Sequence, residues 1–209
     1  MGVFAIYAIM GNQLMNFAKN SEVSVLLRLL LSAAVQFGIA GMGISLVCIW
    51  RKEKFSQFGL KTKNICRAII GTVVCFVPMI VYILASGQFR GYRPFSIMIT
   101  DDVLSAGFPI SIIGMALIIM VWGFFESFNY VVICNKINKR YPSPNQWLDY
   151  GAITCAIVCI LFHPLSISFW GIIDIVTTFV AIYGMLIIQK KTGNAWGCIF
   201  AFCFIWNAL

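Results

Sequence analysis

The chain has 209 residues, of which 61% are hydrophobic and only 11% are charged, and its mean hydropathy is +0.92. A soluble domain carries roughly 25% charged residues, so this composition excludes an ordinary soluble protein and requires a lipid bilayer as partner. The net charge of +8 is explained by basic loops next to anionic lipid, and we expect no nucleic-acid partner.

Long apolar runs separated by short charged breaks predict an all-α fold, a polytopic transmembrane helix bundle with six to seven membrane helices. A bilayer core takes about 20 apolar residues per helical span. The predicted helices, in chain order, cover residues 2–18, 23–49, 65–86, 104–135, 147–163, 168–189 and 194–209. We interpret the first run as a helix because it lacks the preceding basic residue and the cleavage site of a signal peptide.

Basic residues concentrate in alternate breaks between the predicted helices. They occupy the loops 51–67, 136–146 and 190–194, whereas the break at 88–102 also carries two aspartates. Cytoplasmic loops of membrane proteins carry an excess of Lys and Arg. The pattern therefore predicts a multi-pass protein of the cell membrane with these three loops in the cytoplasm.

A few ionisable and polar residues stand inside the predicted helices, where a charge costs about 2.5–3.5 kcal/mol and usually marks a functional site. They are Glu126, His163, Asp174, Asn129 and Asn207. At about 1.5 Å of rise per residue, Glu126 lies roughly 15 Å from the basic loop that follows it. Cys203 and Asn207 lie roughly 14 and 20 Å from the loop at 190–194. These depths predict one polar cluster formed by several helices.

The spacing of these residues places them on shared helix faces. Asn129 and Tyr130 follow Glu126 by three and four positions, and Cys155, Cys159 and His163 are spaced by four. Residues with these separations are neighbours on a helix surface. We therefore expect each set to face the same side of its helix.

With these residues in view, the chain resembles the CPBP family of intramembrane proteases, which includes CAAX prenyl proteases and bacteriocin-immunity-type homologues. The resemblance covers residues 50–209, a CPBP-like membrane core, and leaves 1–49 as N-terminal membrane helices. The first matching segment is the basic loop with Phe55-x-x-Phe58-Gly59-Leu60. The helix 123–130 matches the family's E-E-x-x-x-R, and Cys159-x-x-x-His163 matches its F-x-x-x-H. The last match is Lys191-Thr192-Gly193 with Trp196, followed by Cys203-x-x-x-Asn207 in place of H-x-x-x-N.

The chain departs from the family pattern at three positions. It has a single glutamate, Glu126, where the family has two. The motif arginine is replaced by Tyr130 or Val131, and the histidine of H-x-x-x-N is Cys203.

The resemblance implies CAAX-protease-type hydrolysis of a peptide bond within the membrane, with a membrane-anchored or prenylated peptide or protein as substrate. Glu126 would be the general base, His163 would hold the water or an oxyanion, and Asn207 would donate to that oxyanion. The supporting residues would be Asn129, Tyr130, Asp174 and Cys203. Asp174 would either pair with His163 as a structural polar contact or orient its ring and fix its tautomer.

Two other functions stay open at this point. Catalytic groups act as a unit, so the missing motif positions predict weakened or lost activity, and a non-catalytic binding or immunity-type protein on the same scaffold is the first alternative. A small proton-coupled transporter is the second alternative. The small size of the chain and the absence of a repeat or of paired broken helices argue against a transporter.

A zinc site is a third interpretation of the same residues. Cys159 and His163 are one turn apart, and Cys203 occupies a histidine position of the family motif. Thiolate and imidazole are the ligands that Zn²⁺ prefers. Four-residue spacing of cysteine in apolar helices is also common by chance, so we assign no metal ligands from the sequence.

Overall fold

The computed structural model describes residues 2–145, 147–162 and 166–209, with side chains from Gly11 onward in these ranges. Over these residues the fold is all-α. Two π-helical segments, π1 (Ile119–Phe125) and π2 (Phe202–Trp206), continue regular helices. The regular helices are α1 (Gly2–Lys19), α2 (Val25–Ala40), α3 (Met42–Trp50), α4 (Ile65–Ala85), α5 (Thr100–Ser105), α6 (Ile110–Ile118), α7 (Glu126–Arg140), α8 (Tyr150–Leu161), α9 (Phe169–Thr192) and α10 (Trp196–Ala201).

Three of the described helical stretches are long and apolar enough to cross a membrane: Ile65–Ala85, Ile110–Arg140 and Phe169–Thr192. The second of them is continuous from α6 through π1 to α7. The pair α2 and α3 forms a fourth candidate span if its two halves, bent by 51°, are counted as one. The helices α8 and Trp196–Trp206 are apolar but shorter than the roughly 20 residues that a single straight span needs.

The bend between α2 and α3 interrupts the helix that the sequence predicted over 23–49. Gly41 lies at the break, and its N–H still donates to the Phe37 carbonyl at 2.7 Å. A Cβ at Gly41 would overlap the Phe37 ring. The absence of a side chain therefore lets the ring lie across the bend.

The main core lies where α4, α7, α8, α9 and α10 meet. Its largest fully buried side chains include Phe76, Phe128, Met185 and Phe202. A smaller cluster joins α1, α2, α5 and α6 through Ala18, Leu29, Val103 and Ile118. Both clusters include side chains of the helix Ile110–Arg140.

The end of the bundle that carries the basic loops, here called the basic end, is organised around Asp149. This carboxylate is 1% exposed and accepts hydrogen bonds from Lys190 Nζ at 2.8 Å, Asn138 Nδ2 at 2.7 Å and the Ala152 N–H at 2.8 Å. Asp149 is thereby the N-cap of α8 and links it to α7 and α9. This cap starts α8 at Tyr150, three residues later than predicted, and the predicted end at 163 lies outside the described residues.

The loop before α4 docks onto the start of α10 at the basic end. The Asn194 side chain donates to the carbonyl oxygens of Lys61 at 2.6 Å and Lys63 at 2.9 Å. Gly59 has a φ of +100°, and a Cβ there would lie 2.9 Å from the Ala195 nitrogen. Glycine is therefore required at this position by both its backbone conformation and the close approach.

The end away from the basic loops, here called the opposite end, is held by Arg28. Its guanidinium is almost fully buried, pairs with Asp102 at 2.7 Å and donates to the carbonyl oxygens of Ala18 and Val23. These contacts connect the α1–α2 turn to α5. A charge near the start of a membrane helix is thus satisfied within the protein.

We predict that Asp149→Asn destabilises the fold by about 2 kcal/mol, because Lys190 loses the charge of its partner while part of that cost is screened by solvent. Burial raises the pKa of the Asp149 carboxyl, but hydrogen bonds from Lys190, Ala152 and Asn138 outweigh it and leave the pKa below the ordinary 3.8. The stabilising effect is therefore complete above pH 3.8 and is lost as the pH falls through the lowered value.

The measurement is the free energy of unfolding in detergent micelles, followed by circular dichroism, at neutral and acidic pH. Asp101→Asn is the matched control, because Asp101 pairs with Arg93 at 2.8 Å and the two side chains are 74% and 64% exposed. It should change stability by less than about 0.5 kcal/mol. Equal effects of the two variants would contradict the role given to Asp149.

Candidate functional site

Glu126 stands at the junction of π1 and α7, in the interior of the longest apolar helix. The π geometry displaces backbone carbonyls from their usual partners, and the buried Ser127 hydroxyl donates to the Gly123 oxygen at 2.7 Å. π-helical segments inside α-helices are frequent at functional sites. The second such segment, π2, packs directly against π1.

The Glu126 carboxylate is held by a side chain from another helix. Gln36 Nε2 on α2 donates to Glu126 Oε2 at 2.9 Å. The next residue on each helix reinforces this contact, since the rings of Phe37 and Phe125 meet edge to face with centroids 4.9 Å apart. No Lys or Arg among the described residues forms an ion pair with Glu126.

Tyr130, one turn after Glu126, joins α7 to α8 and π2. Its hydroxyl lies near the Cys159 thiol, and its carbonyl oxygen accepts from the Cys155 thiol at 3.5 Å. Its ring lies 5.8 Å from that of Phe202. The structure therefore brings Glu126, Tyr130 and Cys159 to one region of the α7–α8 interface.

Cys203 packs against π1 rather than against the Glu126 carboxylate. A Cβ at Gly123 would lie 2.5 Å from the Cys203 sulfur, so the two positions are in direct contact. The packing around Cys203, which also includes Trp122 and Phe95, leaves no space for a water molecule. Among the described residues no hydrogen bond connects Cys203 to Glu126.

Asn207 ends the last helix. Its Nδ2 donates to the Phe202 carbonyl at 3.2 Å, and its own carbonyl accepts from the Ser96 N–H at 2.7 Å. The Phe95 N–H likewise donates to the Cys203 carbonyl at 3.1 Å. Terminal carbonyls of a helix lack partners within it, and the segment before α5 supplies them here.

The other predicted site residues lie elsewhere. Asn129 is on α7, partly exposed. Asp174 lies on α9 and lines a cavity whose walls include neither Glu126 nor Cys203. His163 lies outside the described residues, so its roles with Glu126 and with Asp174 stay predictions.

The described residues contain no group of three or more His, Cys, Asp or Glu side chains that could hold a metal ion. The zinc set considered from sequence includes His163 and is therefore untested. Within the part of the chain that is described, Cys159 contacts Tyr130 and Cys203 contacts Gly123.

The polar contacts of Gln36 and Arg28 were not predicted from the sequence. Both stand in the apolar run predicted as helix 23–49, and their polarity inside that run was a signal available beforehand. Which partners they take, Glu126 and Asp102, depends on long-range packing. The sequence alone does not encode that pairing in any local pattern.

Comparisons of the chain with models of known protein families, with curated proteins and with solved structures gave no match.

We predict that Gly123→Ala destabilises the fold by about 1–2 kcal/mol, because the added methyl group overlaps the Cys203 sulfur. In a Cys203→Ala background the same substitution should cost much less, since the Cys203 Cβ is 3.9 Å from the new atom. Unfolding free energies of the two single variants and the double variant measure this coupling. Additive effects would show that Gly123 and Cys203 are not in contact.

Proposed function

We propose that the chain is a CPBP-like intramembrane endopeptidase with weakened activity, in which Glu126 is the general base. The observation that carries the proposal is the hydrogen bond from Gln36 on α2 to Glu126 on α7, between two partly buried side chains. It fixes one carboxylate oxygen and leaves the other without a hydrogen bond from any described residue. A fixed carboxylate with a free oxygen is what activation of a water molecule needs.

In the proposed reaction, Glu126 takes a proton from water and the resulting hydroxide adds to a peptide carbonyl carbon. The bond to nitrogen then breaks as that proton passes to the leaving amine. His163 would hold the water or the oxyanion. Asn207 would donate to the oxyanion, which requires its side chain to leave the Phe202 carbonyl.

The proposed substrate is a membrane-anchored or prenylated peptide or protein, as the family resemblance implies. A cleft of about 160 Å³ between α1 and α2 supports access from the lipid, because Gln36 lies in its wall beside Leu14, Leu31 and Trp122. An apolar segment in this cleft would reach the residue that holds Glu126. The missing glutamate, arginine and histidine of the motifs account for the weakened rate.

We further propose that the protein is a multi-pass protein of the cell membrane with six to seven membrane helices. In this proposal α1, α8 and α10 are further membrane helices beside the long candidate spans. The loops 51–67, 136–146 and 190–194 would face the cytoplasm. The ion pairs of Glu53 with Lys136 and of Asp149 with Lys190 support the placement of these loops on the same side of the membrane.

A non-catalytic binding or immunity-type protein on the same scaffold is the second candidate. The observation in its favour is that Cys203 and Asn207 are engaged in packing and helix capping. Neither contributes a group directed at Glu126. On this alternative, Glu126 and Gln36 fix the position of α2 against α7 and do no chemistry.

We predict that Glu126→Gln lowers cleavage of a prenylated or transmembrane reporter peptide by at least about 100-fold, because the amide cannot accept the proton. The assay uses purified protein in lipid vesicles and product detection by mass spectrometry. Glu22→Gln is the matched control, since Glu22 is exposed in the α1–α2 turn, and it should cleave as the unaltered chain does. Retained cleavage by Glu126→Gln would remove the catalytic assignment, and a completely inactive unaltered chain would favour the non-catalytic candidate.

We predict opposite accessibility for cysteines placed at Ser143 and at Glu22. In whole cells, a membrane-impermeant maleimide should label Glu22→Cys, and it should label Ser143→Cys only after permeabilisation. Both are made in a Cys66→Ser background, because Cys66 is the exposed cysteine of the chain. The reverse pattern would invert the proposed orientation.

A further inference from the structure

A polar cavity of about 260 Å³ lies at the opposite end of the bundle, where α4 and α8 end and α9 begins. We call it the Asp174 cavity. Its walls include Tyr82 from α4, Ile160 from α8, and Trp170 and Thr178 from α9. None of its described lining residues contacts Glu126, so the cavity is separate from the described surroundings of that carboxylate.

Asp174 gives this cavity a negative charge. The Asp174 carboxylate forms no ion pair or hydrogen bond with any described residue, and only its backbone oxygen is engaged, by the Thr177 hydroxyl at 3.2 Å. Asp174 is five residues into α9, so it lies about 8 Å along that helix. Asp174 is the charged side chain among the described lining residues, so its carboxylate is available to a cation that enters the cavity.

Two aromatic rings form part of the cavity wall. The rings of Tyr82 and Trp170 have centroids 6.1 Å apart and are tilted by 46°. Tyr82 is 5% exposed, and its hydroxyl accepts a hydrogen bond from Gln88 Nε2 at 2.6 Å. The faces of Trp and Tyr attract cations, and aromatic groups of this kind recognise ammonium ligands.

At the rim of the cavity, the turn that contains Ser166 and Ser168 packs against the first turn of α9. The Ser168 hydroxyl accepts from the Gly171 N–H at 3.0 Å and caps α9, and Ser166 donates to the same hydroxyl at 3.1 Å. A Cβ at Gly171 would overlap the Ser166 carbonyl, so the turn lies directly against the helix. The cavity therefore has a defined wall on this side.

We propose that the Asp174 cavity binds a small organic cation, whose ammonium group lies between the Asp174 carboxylate and the rings of Tyr82 and Trp170. Anions are disfavoured because none of the described lining residues is basic. A divalent metal is disfavoured because Ca²⁺ takes six to eight oxygen ligands and one carboxylate is present. The volume is also many times the roughly 30 Å³ share of one water molecule, which suits a molecule of several heavy atoms.

The test uses radiolabelled choline as the probe in equilibrium dialysis against the full chain in detergent micelles. We expect saturable binding that unlabelled choline displaces. The neutral isostere 3,3-dimethyl-1-butanol has the same shape without the charge and should displace it at least about tenfold less well. Equal displacement by the isostere would overturn the proposal, as would the absence of saturable binding.

Three variants assign the binding to the cavity. Asp174→Asn should weaken choline binding at least about tenfold, and Trp170→Leu should weaken it several-fold through loss of one aromatic wall. Asp101→Asn removes a carboxylate at the same end but outside the cavity and should bind as the unaltered chain does. Trp170 is 40% exposed, so its variant should fold even where Asp174→Asn does not. Unchanged binding by Trp170→Leu, or by a folded Asp174→Asn, would overturn the proposal.

Discussion

Polar groups inside an apolar bundle need partners within the protein, because lipid offers none. The chain meets this need at three levels. Asp149 collects donors from three helices at the basic end, Arg28 collects acceptors at the opposite end, and the hydrogen bond between Gln36 and Glu126 lies between them. The same need explains the end of the last helix, where backbone N–H groups of the segment before α5 bind the carbonyls of Cys203 and Asn207. The contacts that satisfy these groups also fix which helices are neighbours.

Most helices could be predicted from hydropathy because a membrane helix is a continuous apolar run. The predicted 65–86 and 168–189 correspond closely to Ile65–Ala85 and Phe169–Thr192. The break at Gly41 was missed, since glycine inside an apolar run is compatible with a straight helix and the deciding contact is the Phe37 ring. The π segments were missed for a similar reason. They depend on how two helices pack, which no local pattern of residues encodes.

Glu126 could be singled out from sequence because a carboxylate in the interior of an apolar run is rare. Its partner could not, because Gln36 is 90 positions away in the chain and nothing in the local pattern links them. Similar distances from the basic loops predicted Cys203 and Asn207 at about the level of Glu126, but depth along a helix does not determine which face a residue occupies. Cys203 faces Gly123, and Asn207 turns back to its own helix. The same holds for the Asp174 cavity: the carboxylate could be singled out from the sequence, but the aromatic side chains that pack around it could not.

The proposed function depends on Glu126 being a partly buried carboxylate that Gln36 holds and that remains available for chemistry. An experimental structure of the full chain in a lipid nanodisc tests it most directly, through the distances from the Glu126 carboxylate to the Gln36 amide and to the His163 ring. The account predicts that Gln36 remains within hydrogen-bond distance and that His163 lies within about one bridging water, roughly 6 Å. A Glu126 side chain that faces lipid, or one paired with a basic residue, would contradict it.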